Sequence, residues 1–137
     1  MYHRILAPVD LTHIARLTKA IDTACDLAVH FGAKLTFVGV TASAPSPVAH
    51  NPHEYERKLG AFAAEQGRKH GIDADFKAYV VHDPAVQIDD TLVQAATDTD
   101  ADLIVMASHV PNVVDAIWPS HGGRVASHAT VSVFLVR

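Results

Sequence analysis

The sequence predicts a single α/β domain: a doubly wound, five-stranded parallel sheet in three layers, with helices on both faces. Three observations support this prediction. The chain has 137 residues, which is about the length of one domain. Short apolar segments alternate with segments of helical periodicity, a pattern typical of parallel strands joined by crossover helices. Hydrophobic residues make up 49% of the chain and charged residues 19%, so it can bury a core.

Five segments have the length and composition expected of strands in such a sheet. Each is short and apolar, as strands buried on both faces usually are, and the second is rich in β-branched residues. Pro8, near the end of the first segment, suits a strand that is leaving the sheet. The predicted strands cover residues 3–9, 34–40, 76–81, 101–108 and 131–136.

Helices are predicted between the strands from capping residues and apolar stripes. Thr12, Asn51 and Asp83 have the side chains of N-caps, and a proline that suits a first helical position follows the last two. Gly32 and Gly71 are expected helix stops. A last helix is predicted over 122–128. The residues expected on buried stripes are Ile14, Leu17, Ile21, Cys25 and Ala28 in the first helix, Tyr55, Leu59, Phe62 and Ala63 in the second, and Val86, Leu92, Val93 and Ala96 in the third.

Composition and charge argue against several classes of protein. Eleven Lys and Arg against fifteen Asp and Glu give a net charge of −4, so a nucleic-acid binder with a basic face is not expected. No apolar stretch approaches the roughly 18 residues of a membrane helix, and the N-terminal apolar run stops at Asp10, unlike a signal peptide. Cys25 is the single cysteine, which excludes an intramolecular disulfide and suits a reducing compartment. We therefore expect a cytoplasmic protein whose partners include neither nucleic acid nor membrane.

The residues that follow the strands carry the functional information, because ligands of doubly wound sheets bind beyond the carboxyl ends of the strands. Asp10 follows the first strand, and a carboxylate there can accept hydrogen bonds from ribose hydroxyls or hold Mg²⁺ through water. The alternative is that Asp10 only caps the next helix. Asp83 follows the third strand, where we expect a helix cap, since the acidic pair and the lysine that a phosphoacceptor site needs are lacking.

A long excursion follows the fourth strand and ends in Ser120 and two glycines before the last predicted helix. Free N–H groups at a helix start attract anions, and glycines allow a phosphate to approach the backbone. Ser120 can donate its hydroxyl to a phosphate oxygen, and Arg124 can add positive charge. The alternative is that Ser120 is an N-cap and the glycines only shape a turn. No G-x-G-x-x-G follows the first strand, and no P-loop sequence occurs in the chain.

Four features, in this order, resemble the universal stress protein family over essentially the whole chain. They are RILAPVD at the first strand, DLIVMASH at the fourth, Ser120 after the long loop, and SHATVSVFLVR at the end. The segment ASHVP at residues 107–111 is similar to a bacterial subgroup with the pattern A-S-H-x-P. The resemblance implies a Rossmann-like fold, similar to that of the adenine nucleotide alpha hydrolases, and a homodimer that often forms through the last strand, here residues 131–136. Such an apolar edge strand needs covering.

Many members of this family bind ATP or a related adenine nucleotide, and the resemblance implies such a ligand here, with Mg²⁺ as its possible companion. Adenine would lie against the first-strand loop and the end of the second strand, Asp10 would meet the ribose or the metal, and the phosphates would lie at the loop after the fourth strand. Carried over to this chain, the nucleotide-binding residues are Ala7, Pro8, Val9, Asp10, Val40, Met106, Ala107, His109, Val110, Ser120, His121 and Gly122.

The chain departs from the family's phosphate-binding signature, which is G-x-x-G, nine residues, then glycine followed by Ser or Thr. Ala107, Val110 and Pro119 stand where the family has the three glycines. The β-branch of valine resists positive φ and fills space near the phosphates, and proline has no N–H to donate. Ser120 is retained, and the nearby glycines lie instead at 122 and 123.

The ten histidines suggest sensitivity to mildly acidic pH. His109 and His121 flank the predicted phosphate loop, where imidazolium would strengthen phosphate binding below about pH 6.5. His50 and His53 are three residues apart, but structural zinc sites normally add closely spaced cysteines, so no metal site is predicted there. Three others lie near the carboxyl ends of predicted helices, where positive charge is favourable: His30, His70 and His128.

Three functional hypotheses follow from these residues and the resemblance. The first is a homodimeric stress-response protein that binds an adenine nucleotide as a regulatory ligand between the first and fourth strands. The second is a module that acts without nucleotide, through its dimer surface or the 42–53 loop, on an unknown protein partner. The third is slow ATP hydrolysis or self-phosphorylation, for which the sequence offers no nucleophile–base pair beyond Ser120 near His121 or His109.

Overall fold

Five parallel strands form one sheet in the computed structural model, which describes residues 1–108 and 121–137. The strands are β1 (Arg4–Pro8), β2 (Lys34–Thr41), β3 (Ala74–Val80), β4 (Leu103–Ala107) and β5 (Ser132–Val136). The helices are α1 (Ile14–Phe31), α2 (Pro52–His70), α3 (Pro84–Asp98) and α4 (His121–His128). All five predicted strands are confirmed, with β3 beginning two residues earlier and β4 two residues later than the sequence indicated.

The strand order, β3-β2-β1-β4-β5, is that of a doubly wound sheet. The chain steps outward from β1 to β3 and then returns past β1 to form β4 and β5. The helices α1 and α2 contact each other, as do α3 and α4, which gives the three predicted layers. Strand order therefore reverses between β1 and β4, and the carboxyl ends of these two strands border the crevice in which ligands of this architecture bind.

The core lies around the central strands, as expected when helices cover both faces of a sheet. The side chains of Ile5 and Leu6 in β1, Phe37 in β2 and Ile104 in β4 are fully buried. In the described part of the chain, no helix is both long enough and apolar enough to cross a membrane.

Several helix ends follow the sequence prediction. The Asn51 side chain accepts a hydrogen bond from the Glu54 N–H at 2.8 Å, so Asn51 caps α2. Gly32 and Gly71 end α1 and α2 with φ of 61° and 66°, the left-handed region that glycine adopts without strain. Asp83 occupies the N-cap position of α3, although its side chain makes no capping hydrogen bond.

Two predictions about the helices are wrong. The N-cap of α1 is His13 rather than Thr12, because the Asp10 carboxylate captures the Thr12 N–H in a turn before the helix begins. Val86 does not belong to the buried stripe of α3 but is 74% exposed. It lies two residues from the buried Ile88, and at about 100° per residue this places the two side chains on opposite sides of the helix.

The caps of α2 and α3 allow a matched test. Asn51→Ala removes the hydrogen bond to the Glu54 N–H and should lower the free energy of unfolding by about 1 kcal/mol in denaturant titrations. Asp83→Ala removes a side chain that makes no capping bond, so its effect should stay within about 0.5 kcal/mol. Equal losses for the two variants would contradict this assignment of the caps.

Candidate functional site

The carboxyl end of β1 continues into a tight turn built around Asp10. Asp10 Oδ1 accepts a hydrogen bond from the Thr12 N–H at 2.8 Å, and its backbone oxygen accepts one from the His13 N–H at 3.0 Å. The carboxylate therefore contributes to the turn that leads into α1, but it does not cap the helix, whose N-cap position is occupied by His13. One oxygen performs this role, and the side chain remains 20% exposed at the edge where strand order reverses.

His13 lies beside the other carboxylate oxygen. Its Nδ1 is 3.7 Å from Asp10 Oδ2, which is too long for a hydrogen bond but within range of an ion pair when the ring is protonated. The same nitrogen is buried and has no hydrogen-bond partner among residues 1–108 and 121–137. A buried polar atom without a hydrogen bond lowers the stability of the folded state, so the position of His13 needs an explanation.

Tyr55 approaches the site from α2. Its ring packs on Gly39 of β2 so closely that a Cβ built at that position would lie 2.9 Å from Tyr55 Cε1 and closer still to the hydroxyl oxygen. Tyr55 is 5% exposed, and its burial, together with the negative charge of Asp10, raises the pKa of the phenol. Tyr55 and His13 thus bring polar groups to Asp10 from α2 and from the start of α1.

The structure brings most of the predicted base-binding and ribose-binding residues together. Parallel pairing places Ala7 beside Phe37 and Pro8 beside Val38, and the Val9 N–H donates to the Val38 oxygen at 2.8 Å. The predicted residues at this edge are Ala7, Pro8, Val9 and Asp10 after β1, Val40 near the end of β2, and Met106 and Ala107 at the end of β4.

The side chains of these residues differ in what they offer a ligand. Ala7, Val9 and Met106 are at most 2% exposed, so they belong to the core beneath the site and offer a ligand almost no surface. Val40 and Ala107 are half-buried at the edge of the sheet. Asp10 therefore supplies the charged side chain of this group, and Val40 and Ala107 supply its accessible apolar surface.

Most of the residues predicted to bind the phosphates lie outside the part of the chain that the structure describes. His109, Val110 and Ser120 lie outside the described residues, as does Pro119. His121 and Gly122 form the start of α4 in the backbone, and their side-chain environment is likewise outside what the structure describes.

Arg124, which the sequence suggested as a source of positive charge for a phosphate, pairs with a carboxylate of α3. Its Nε is 3.3 Å from Asp89 Oδ2, and Asp89 is a buried residue of α3. A buried carboxylate requires a cation or hydrogen bonds nearby, and the guanidinium of Arg124 provides such a partner. The pair links α3 to α4 and gives Arg124 a structural role, while its side chain remains 68% exposed.

A groove of about 430 Å³ opens next to the Asp10 turn. It is lined by Leu11, Thr12, Pro47, Val48 and Lys58. The Lys58 ammonium donates to the Val48 oxygen and lies 3.3 Å from Glu54 Oε1, which ties the 42–50 loop to α2. The N–H of His50 and the ammonium of Lys58 lower the pKa of Glu54. The negative charge of Glu54 therefore lies next to the positive charge of Lys58.

A protein-built metal site is not formed by the residues that can be described. No group of three or more His, Cys, Asp or Glu side chains among residues 1–108 and 121–137 is arranged to hold an ion. Asp10 alone supplies one carboxylate, which is the number that Mg²⁺ commonly uses when substrate phosphates and water complete its coordination.

Sequence reasoning identified Asp10 but missed His13, Gly39 and Asp89. A signal for Asp89 was present, because an acidic residue directly after Ile88 interrupts the buried stripe of α3. His13 and Gly39 carry no comparable signal. Their roles depend on how α1, β2 and α2 pack, which the sequence pattern does not specify.

Comparison with known proteins places this geometry in context. The sequence model of the universal stress protein family matches residues 1–137. No curated protein sequence matches the chain.

Solved structures resemble the chain over its whole length. A universal stress protein from Archaeoglobus fulgidus has 20% identity and a TM-score of 0.71, with 100% of each chain covered. A universal stress protein in complex with cAMP has 21% identity and a TM-score of 0.71, covering 99% of this chain and 97% of the other. The Archaeoglobus fulgidus protein in complex with dAMP has 19% identity and a TM-score of 0.69, covering 99% and 98%. At these identities the likeness establishes the fold.

Proposed function

The chain belongs to the universal stress protein family, and from that premise we propose that it binds an adenine nucleotide as a regulatory ligand at the carboxyl ends of β1 and β4. Structural neighbours in complex with cAMP and with dAMP support a nucleotide as the class of ligand. The protein would act as a cytoplasmic stress-response module whose state depends on the bound nucleotide.

The observation that carries the proposal is the position of Asp10. It follows β1 at the point where strand order reverses, and one of its oxygens is not used by the Thr12 N–H. A carboxylate at this place can accept hydrogen bonds from ribose hydroxyls. The half-buried Val40 near the end of β2 offers an apolar surface, which suits the adenine base.

The chemistry of Asp10 also fits a magnesium-bound form of ATP. Mg²⁺ is usually held by one or two carboxylates together with phosphates and water, so Asp10 would suffice as the protein contribution. The phosphates would extend toward Ala107 and the start of α4, where helix N–H groups favour negative charge. Ala107 adds one methyl group where the family has glycine, and the proposal requires that this methyl leaves room for a phosphate.

Calorimetric titration of the purified protein with ATP, ADP and AMP, with and without Mg²⁺, tests the proposal. We expect saturable binding of at least one of these nucleotides and weaker binding of the corresponding guanine nucleotide. No detectable heat at millimolar nucleotide would contradict the proposal and favour a module that acts through a protein partner without nucleotide. Release of phosphate from ATP faster than in buffer without the protein would indicate hydrolysis instead.

We also propose that the protein forms a homodimer through β5. Phe134 and Leu135 are 45% and 39% exposed, and because consecutive strand residues point to opposite faces, apolar surface lies on both sides of this edge strand. The opposite edge, β3, carries Asp75 and Lys77 in ion pairs with Lys34 and Asp98. Charged residues protect an edge strand from pairing with another chain, so β5 is the better candidate for the interface.

Phe134→Lys combined with Leu135→Lys should convert the dimer to a monomer, because two charges would have to be buried in the interface. Light scattering after size-exclusion chromatography should give the mass of two chains for the wild type and of one chain for the variant. Val86→Lys changes an exposed valine of α3 and should leave the dimer intact. A monomeric wild type, or a variant that remains dimeric, would contradict the proposed interface.

A further inference from the structure

We infer that His13 is a positioning residue that orients the Asp10 carboxylate toward the two vicinal hydroxyls of a ribose, so that the site favours ribonucleotides over nucleotides that lack these hydroxyls. This role rests on the proposed nucleotide site, and the part of the ligand that His13 would help to select is the ribose 2′,3′-diol.

The geometry of the His13 ring is the first step. Within the described part of the chain, Nδ1 is buried and makes no hydrogen bond, and it lies 3.7 Å from Asp10 Oδ2. A buried nitrogen cannot reach a ligand in the crevice directly. It can act on a ligand through the carboxylate, because shortening the gap to about 2.9 Å would form a hydrogen bond from Nδ1–H to Oδ2.

The backbone around His13 is fixed, which is the second step. The His13 N–H donates to the Asp10 oxygen at 3.0 Å, and the His13 oxygen accepts from the Arg16 N–H at 3.0 Å. His13 is thus held between the Asp10 turn and the first turn of α1. Its ring can therefore limit the rotation of a carboxylate three residues earlier in the chain.

The third step is a count of acceptor positions on Asp10. The two oxygens of a carboxylate offer about four lone-pair positions. The Thr12 N–H occupies one, and Nδ1–H of His13 would occupy a second. Two positions remain, which matches the two hydrogen-bond donors of a ribose 2′,3′-diol.

Tyr55 of α2 lies within electrostatic range of the same carboxylate. Its ring is buried against Gly39, and its hydroxyl is near enough for the charge of Asp10 to raise the phenol pKa. His13 differs from Tyr55 because its Nδ1 faces Oδ2, the oxygen that the Thr12 N–H leaves available.

The test uses two ligands and two variants of the full-length chain. Calorimetry gives Kd values for ATP and for 2′,3′-dideoxy-ATP with the wild type, His13→Phe and His13→Asn. His13→Phe keeps a ring but removes the donor, whereas His13→Asn places an amide N–H the same number of bonds from the backbone as Nδ1. We expect His13→Phe to weaken ATP binding about tenfold, the loss of roughly one hydrogen bond to a charged group, while dideoxy-ATP binding changes less than about twofold. His13→Asn should restore most of the ATP affinity.

The outcomes separate this inference from the proposed function. Equal weakening of both ligands by His13→Phe would mean a merely structural role and would overturn the inference, as would an unchanged Kd for ATP. A wild type that binds neither ligand would overturn the proposed function and the inference with it.

A spectroscopic measurement on the free protein gives an independent readout. The ¹⁵N shifts of His13 should show the proton of the neutral ring on Nδ1, and Asp10→Asn should shift the tautomer balance toward Nε2–H. A proton on Nε2 in the wild type would leave Nδ1 as an acceptor facing a carboxylate, and this result would overturn the inference.

Discussion

Asp10→Asn is expected to weaken adenine nucleotide binding by about 100-fold, the largest effect on affinity that this site allows from one substitution. The asparagine keeps an oxygen that can accept the Thr12 N–H, so the turn before α1 should survive. It loses the negative charge, which turns charge-assisted hydrogen bonds from the ribose hydroxyls into weaker neutral ones and replaces acceptor positions with an N–H₂ group. Calorimetry with ATP measures the change.

Asp83→Asn is the matched control for this substitution. Asp83 also follows the carboxyl end of a strand and occupies a helix N-cap position, but its side chain makes no capping hydrogen bond and it lies beyond the edge strand β3. We expect its nucleotide affinity to equal that of the wild type. Similar losses for the two variants would indicate that overall charge, rather than the contact at Asp10, determines binding.

Gly39→Ala is expected to lower the free energy of unfolding by about 2 kcal/mol, within the usual range for overpacking a core. A Cβ at this position would meet the Tyr55 hydroxyl and ring, and both residues are buried between β2 and α2. The ring must therefore move, and its displacement should also disturb Asp10 and weaken nucleotide binding severalfold. Denaturant titration and calorimetry give the two readings on the same preparation.

Two further variants control for the effect of the added methyl group. Gly123→Ala in α4 adds a Cβ with none of the described residues within 4 Å and should stabilise the protein by up to about 1 kcal/mol, since alanine is the better helix former. Tyr55→Phe removes the atom nearest to the new methyl and should recover part of the stability lost in Gly39→Ala. If Gly39→Ala is as stable as the wild type, the packing of Tyr55 on β2 described above is wrong.

The fold was predictable from the sequence because its strands and helices have strong local signals. Strands buried on both faces are apolar along most of their length, as β4 is throughout and β1 is after Arg4. The Asn51 cap and the Gly32 stop depend on a few adjacent residues, so the sequence identified them correctly. The predicted start of α1 was one residue too early. The Asp10 side chain accepts the Thr12 N–H and so holds Thr12 in a turn that precedes the helix.

The site was only partly predictable, since most of its contacts join distant segments. The position of Asp10 follows from the rule that ligands bind beyond the strand ends, which needs only the order of elements. The role of Arg124 could not be predicted in the same way, because its partner Asp89 lies on another helix. The pairing of Tyr55 with Gly39 depends equally on how α2 packs against β2.

Amide NMR during a titration with AMP tests whether an adenine nucleotide binds where strand order reverses. We expect shift changes concentrated at the carboxyl edge of the sheet, in residues 7–13, 38–41 and 106–108. The amino edge provides the internal reference, because a separate groove lined by Arg4, Asp102 and Ser132 lies there. Changes confined to that groove, or no changes at saturating AMP, would show that the nucleotide does not bind at the carboxyl edge.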